Sequence, residues 1–383
     1  MKTRPTQWIE IDSSALTHNI RQFRRLIGKN RTLLATVKAN AYGHGILEVA
    51  KIVIRQGADW LGVHSIDEGI FLREKKLDCP ILVLGYVPNH ALEKAVNHEL
   101  RLTVYNPETI KRLGSLAARS RKKIRVHVKA ETGTHRQGIR EEDMLSFVEK
   151  IQEHPGLILE GLSSHFANIE DTTDHSYALL QLDSFKRMCR KLEENGIKVP
   201  IRHIACTAAT ILFPETYFQM VRIGIGMYGL WPSKETYLSC ILQNRKPIRL
   251  KPVLAWKTRI AQIKKIPKGA YVGYGCTFRA TRDTVLCVLP VGYYDGYSRN
   301  FSNVSYVLIN GQRAPIRGRV AMDFIMADVT DIPGVSVEDE VVLLGKDRGD
   351  SITADDLAGL AGTINYEIVT RINPKITRII VSH

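Results

Sequence analysis

The sequence predicts an α/β protein: an N-terminal TIM-like (β/α)8 barrel followed by a C-terminal, mainly β domain. Three observations carry this. Eight short apolar runs occur in the first two-thirds of the chain, and each of the first seven leads into a stretch with helical periodicity. No Gly-x-Gly-x-x-Gly follows the first run, which argues against an open dinucleotide-binding sheet. After Trp231-Pro232-Ser233 the texture changes to short β-branched segments separated by turns. The division is placed between a barrel over residues 1–240 and a β domain over residues 241–383.

The eight barrel strands are expected at 33–37, 59–63, 81–84, 102–105, 124–129, 157–165, 201–205 and 220–225. Helical spacing is plainest at 46–56, 91–98 and 175–195. In the second domain, strands are expected at 252–263, 284–290, 305–309, 326–329, 340–345 and 376–381. Asn310-Gly311 and Pro333-Gly334 mark turns, and Thr353 is positioned to cap a short helix at 354–361.

Composition narrows the function classes. The 383 residues contain 54 Lys and Arg against 39 Asp and Glu, a formal charge of +15. Hydrophobic residues at 44% and charged residues at 24% describe a folded chain, and its length suggests two domains or one large domain with an extension. No apolar run reaches the ~18 residues of a membrane span. The basic start is not followed by the apolar stretch of a secretory signal. None of the six cysteines sits in a Cys-x-x-Cys pair or beside spaced histidines, so neither a disulfide framework nor a metal site is expected, and a reducing cytoplasm is the simplest setting. The basic residues are scattered, and the run from Arg119 to Lys123 precedes a strand-like segment as a solvated turn would. No nucleic-acid partner is expected; a cationic surface accounts for the charge.

The most informative segment is Thr36-Val37-Lys38-Ala39-Asn40-Ala41-Tyr42-Gly43-His44-Gly45. Lys38 closes the first strand, at the face where barrel active sites lie. Partial desolvation there lowers a lysine's pKa and frees its amine for Schiff-base chemistry. A surface lysine that happens to end a strand is the structural alternative.

The segment VKANAYGHG resembles the pyridoxal phosphate motif of alanine racemases. The resemblance continues through 129–138, Ser164-His165-Phe166-Ala167, 222–229, Val272-Gly273-Tyr274-Gly275, 291–296, 318–323 and 355–374, in the family's order and over nearly the whole chain. It implies the barrel, the β domain, pyridoxal 5'-phosphate as cofactor, and a homodimer with shared active sites. It also implies two bases on opposite faces of a small amino acid substrate, Lys38 and Tyr274 of the partner subunit. The chemistry agrees: an unassisted Cα–H is too weak an acid for any side chain, and racemisation needs proton removal on one face and return on the other. A phenol with reference pKa near ~10 needs nearby cations to act as a base at neutral pH. Tyr274 stands in a glycine-flanked turn that suits exposure; a core tyrosine is its alternative.

For the cofactor phosphate, Gly224 and Ile225 supply bare backbone after the eighth strand, and Thr207 supplies a hydroxyl. By resemblance Tyr42 and Tyr366 reach the same phosphate. Arg222 matches the arginine that meets the pyridine nitrogen, where a guanidinium keeps the ring unprotonated and disfavours transamination. His165 matches the histidine that positions it, with a backbone-satisfied core histidine as the alternative. Arg136 and the backbone N–H of Met322 match the substrate carboxylate contacts. Lys129 matches a lysine often carbamylated in the family. Tyr293 and Tyr366 match the pair narrowing the entrance; Arg299, Arg319 and Asp323 match residues of the access route, and surface ion pairs are the alternative for these three.

The sequence departs from the family pattern at Cys206-Thr207 for an Asn-Ser pair, Glu131 for Asp, Thr134 for Met, and Ala321 for a frequent Cys. Thr207 keeps a hydroxyl; Cys206 loses an amide. The implied activity is interconversion of L- and D-alanine, supplying D-alanine for peptidoglycan. A pocket closed by Tyr274, Tyr293, Tyr366 and Met322 suits a small side chain. Serine or broad-specificity racemisation is the nearest alternative. A cofactor-homeostasis protein of this barrel would lack the β domain, and a decarboxylase would place an acid where Arg222 stands.

Overall fold

The computed structural model describes residues 5–382. Its first strand, β1 (Gln7–Asp12), is followed by eight more: β2 (Thr32–Thr36), β3 (Trp60–Val63), β4 (Ile81–Val83), β5 (Arg101–Val104), β6 (Ile124–Lys129), β7 (Leu157–Ser163), β8 (Ile201–His203) and β9 (Met220–Ile223). Strands β2 to β9 form one parallel sheet in the order β8-β7-β6-β5-β4-β3-β2-β9. The gap between β8 and β9 is bridged by Gln219 N to Arg202 O (3.2 Å) and Arg222 N to Ala205 O (3.0 Å). The expected eight-stranded barrel is thus present, with each strand within about two residues of its expected place.

The strands were readable because parallel barrel strands are buried on both faces and so appear as short apolar runs. Leu34, Leu82 and Met220 form a fully buried layer, with Trp60, Leu84 and Ile201 packed against it. The intervening helices carry clear start signals. Ser65 and Glu68 form a capping box at Ile66–Glu74, and Pro107 opens Pro107–Ser120. Along Ser176–Glu194, Ala178, Leu182, Phe185, Met188 and Leu192 recur at three- and four-residue spacing and are buried.

Among the described residues, a second compact unit comprises 5–15, Asn40–Glu48 and 252–382; Leu16–Ala39 and Val49–Lys251 make up the barrel unit. No single cut reproduces this grouping, because β1 pairs antiparallel with Leu254–Arg259 and parallel with Thr377–Val381. That strand was not anticipated: its partners lie more than two hundred residues further along the chain. The sheet it joins runs Gln312–Pro315, Tyr306–Ile309, Glu340–Asp347, Leu254–Arg259, β1, Thr377–Val381, with Asp350–Ile352 branching from Glu340–Asp347. Asn310 and Gly311, with φ of 54° and 76°, make the tight hairpin turn read from the sequence. The helix Ala354–Ala361 has Thr353 as its cap, in a capping box with Asp356. The expected strand over 252–263 is two strands, Leu254–Arg259 and Gln262–Ile266, the second pairing with Thr284–Leu289 in a separate three-stranded sheet.

Candidate active site

Lys38 emerges directly after β2 and is half-buried. Burial, above all, and then the charges of Arg136 and Arg222 hold its ammonium below the ordinary lysine range; Glu68 opposes them. Lys38 begins a single helical turn, Lys38–Tyr42, of unusual hand. Ala39, Asn40, Ala41 and Tyr42 all have φ of 53–54°. At roughly 1–2 kcal/mol per non-glycine residue, a left-handed turn of this length costs on the order of 4–8 kcal/mol, so its surroundings must impose it. On the barrel side, Ala39 N donates to Glu68 Oε1 at 2.6 Å. Further along, Asn40 Oδ1 accepts from Ile46 N (3.0 Å), and Gly43 O accepts from Arg378 Nη2 (2.8 Å).

Gly43 has φ 83°, and a Cβ there would overlap Val369 O. Gly43→Ala is therefore expected to destabilise the protein by roughly 3 kcal/mol or more, because backbone cannot yield as a side chain can. A fall in the urea midpoint checks this, with holoenzyme content measured alongside.

The remaining barrel residues converge on Arg222, which is buried at the end of β9. Its Nη1 donates to His203 Nδ1 (2.8 Å) and His203 O (3.1 Å). Its Nη2 donates to Ser164 O (2.8 Å), Ile204 O (3.0 Å) and His165 Nδ1 (3.3 Å). Both terminal nitrogens are committed, and no group among the described residues accepts the Nε–H. Burial lowers Arg222 to about 10, so it keeps its charge at neutral pH. His165 is held neutral by burial first and then by Arg222, Lys129, Arg136 and Lys38. Lys129, at the end of β6, is driven well below the usual lysine range by burial and by Arg222 and Arg136, with Glu131 opposing.

The loop carrying Arg136 is organised by Glu131, which accepts from the backbone N–H of Gly133 (2.5 Å), Thr134 (2.7 Å) and Arg136 (3.3 Å). Burial alone would raise its carboxyl, but these donors outweigh burial and lower it. Thr134 Oγ1 donates to His165 O at 2.8 Å. Two of the departures from the family pattern thus build this loop. Cys206 Sγ–H faces Glu170 Oε1 at 3.7 Å, and burial pushes its thiol up to about 12. Thr207 Oγ1 accepts from Gly224 N at 3.0 Å, leaving the hydroxyl proton available. Ile225 opens a short turn, Ile225–Tyr228, whose first N–H groups have no acceptor within it. A Cβ on Gly226 would lie 2.6 Å from both Phe23 and Thr207, so glycine is required beside this cradle.

The donor set fits pyridoxal phosphate: hydroxyl and backbone N–H groups for a phosphate, an uncommitted guanidinium N–H for a ring nitrogen, and a desolvated lysine amine. Glu68 and His203 were not anticipated. Only the Ser65-x-x-Glu68 capping pattern could have marked the first.

The other unit gathers the remaining candidates. The rings of Tyr42 and Tyr366 are 6.1 Å apart. Tyr274 lies between Gly273 and Gly275, both at φ 72°, and is 74% exposed in the single chain. A Cβ on Gly275 would lie 3.0 Å from Arg319 Cζ, so this turn packs on Arg319. Tyr293 N donates to Ala321 O (3.0 Å) and Tyr294 N to Met322 O (3.1 Å). Ser302 Oγ links Arg299 O (2.6 Å) to Val320 N (3.0 Å). Arg299 and Asp323 are exposed and Arg319 half-buried; among the described residues none of them forms an ion pair. Among the described residues the N–H of Met322 has no acceptor.

Family models for the alanine racemase N-terminal and C-terminal domains match residues 11–232 and 253–380. The chain belongs to the alanine racemase family. An alanine racemase of Halothermothrix orenii is 44% identical over 376 residues, covering 98% of this chain and 97% of that one. Among solved structures, the alanine racemase of Bacillus anthracis with bound L-Ala-P superposes with a TM-score of 0.92 at 34% identity, covering 100% of this chain and 97% of that one. A histidine racemase from Leuconostoc mesenteroides superposes with a TM-score of 0.89 at 30% identity, covering 99% of each chain.

Proposed function

We propose that this protein interconverts L- and D-alanine with pyridoxal phosphate and two bases, supplying D-alanine for peptidoglycan in a reducing cytoplasm. The observation that carries the reading is Arg222: its terminal nitrogens are fully bound, its Nε–H is uncommitted, and Lys38 lies within its electrostatic reach. Pyridoxal phosphate, when bound, supplies the electron sink that makes an amino acid's Cα–H acidic enough to remove.

The chain's residues do the rest. Lys38 attaches the cofactor and carries the proton on one face of the substrate. Tyr274 of the partner subunit carries it on the other, so each turnover removes one proton and returns one, with no net change. Arg222 would offer its Nε–H to the ring nitrogen of the cofactor without surrendering the proton, a setting that would disfavour transamination. Thr207, Gly224, Ile225, Tyr42 and Tyr366 hold the phosphate, and His165 holds Arg222. Arg136 and the N–H of Met322 take the substrate carboxylate. A neutral Lys129 amine can add CO2 with loss of a proton, and the resulting carbamate would offset the positive charge of Arg136 and Arg222. Tyr293 and Tyr366 narrow the entrance, along an access route through Arg299, Arg319 and Asp323.

The exposed Tyr274, Tyr294, Met322 and Phe324 support a homodimer, since a lone chain leaves these large side chains in water. All six cysteines are free, consistent with a reducing compartment.

The test is racemisation of a panel of amino acids with added cofactor. Alanine is expected to rank first. The histidine racemase relative gives weight to a second reading of broader specificity, which serine, histidine or another amino acid ranking above alanine would establish.

A further inference from the structure

We infer that Glu160, His127 and His203 position Arg222 through a buried, one-way chain of hydrogen bonds across the barrel interior. This rests on the reading that Arg222 serves the cofactor's ring nitrogen.

The direction of every link follows from the first. Arg222 Nη1 can only donate, so His203 Nδ1, 2.8 Å away, accepts. His203 therefore carries its proton on Nε2, which lies 2.9 Å from His127 Nδ1. His127 Nδ1 accepts in turn, placing the His127 proton on Nε2, 3.2 Å from Glu160 Oε2. Both imidazoles are fully buried.

The chain ends on an anion held by cations. Arg101 Nε and Arg125 Nε each lie 3.3 Å from a Glu160 oxygen. Arg101 stacks over Trp60 at 4.9 Å, and the Trp60 ring meets His127 edge-on at 5.8 Å. Space for the chain is built into the backbone. β6 and β7 slip register between Val126 and His127, and a Cβ on the opposing Gly161 would overlap the His127 ring.

Two neutral histidines alone would not fix Arg222, because an imidazole can move its proton to the other nitrogen. A His203 proton on Nδ1 would face the Arg222 donor and push it away. The Glu160 carboxylate accepts only, so it selects one tautomer in both rings and keeps an acceptor facing Arg222. Glu160, His127 and His203 are positioning residues; none need touch the substrate.

Holoenzyme labelled with 15N-histidine reads the tautomers directly. Signals assigned by their loss in His127→Gln and His203→Gln should report two neutral Nε2–H imidazoles, unchanged between about pH 6 and pH 9. An imidazolium or an Nδ1–H tautomer at either position overturns the proposal, and this measurement needs no altered residue to fold beyond assignment. Glu160→Gln should lower kcat about tenfold with a smaller change in KM, shift the absorption of the bound cofactor and raise the transaminated fraction; Glu160→Asp should recover much of the loss. A Glu160→Gln enzyme with kcat within about twofold and an unchanged spectrum overturns it. Arg222→Gln separates the two readings. If it is impaired while Glu160→Gln is normal, the positioning chain fails; if Arg222→Gln itself racemises normally, the role of Arg222 fails instead.

Discussion

Lys38→Ala is expected to reduce racemisation by on the order of 10^4-fold or more, the largest effect of any single replacement. Two functions are lost together. The amine that attaches the cofactor disappears, and so does the proton carrier on one face of the substrate. The setting of Lys38 makes it suited to both. Burial and the charges of Arg136 and Arg222 favour its neutral, nucleophilic form, so deprotonation occurs below the pH at which an ordinary lysine loses its proton. The measurement is twofold: racemisation rate, and borohydride reduction of the wild-type holoenzyme followed by peptide mapping. Cofactor fixed to another lysine would remove Lys38 from its assigned role. The fold should survive the replacement, because the left-handed turn is held by Ala39 N, Asn40 and Gly43 rather than by the lysine side chain.

Tyr274→Phe is expected to lower racemisation about 10^3-fold while cofactor binding persists. Only the hydroxyl is removed. The ring is 74% exposed in the single chain, so its loss of one oxygen leaves the packing of its own domain almost unchanged. The glycines on either side set the turn, and Arg319 packs against Gly275, so the ring position is fixed by backbone rather than by the phenol. Near-normal rates in both directions would take Tyr274 out of the mechanism. The same variant tests the shared site. Mixing inactive Lys38→Ala and Tyr274→Phe enzymes should restore part of the activity, since a heterodimer then contains one site with both bases intact. Demonstrated subunit exchange without recovery would place both bases in one chain.

The barrel was legible because its strands are buried on both faces and its helices carry caps that local chemistry dictates, as at Ser65, Pro107 and Thr353. Much of the candidate site was legible for a different reason: Lys38, Arg136, Arg222 and Tyr274 sit in short motifs whose residue types match a family. Where the site depends on contacts between distant strands, sequence reasoning found little. His127, Glu160 and His203 belong to no motif in the sequence, and only the closed barrel brings them into one hydrogen-bonded line with Arg222. The left-handed turn at Ala39–Tyr42 was likewise invisible. Four non-glycine residues disfavour that conformation locally, and it exists because Glu68, Ile46 and Arg378 hold it.

The sequence by itself determined the fold class, the order of the elements, and the identity of the lysine, arginines and tyrosine on which the chemistry is proposed to rest. The first two follow from periodicity and capping, and the third from the resemblance of short motifs to a family; all are properties of short segments. The tertiary structure decided what depends on long-range pairing. It moved β1 into the C-terminal sheet, wound Lys38–Tyr42 against its natural hand, left a single Arg222 N–H uncommitted, and selected one tautomer for two buried histidines. Each is set by partners far along the chain, whose free-energy contribution exceeds any local preference.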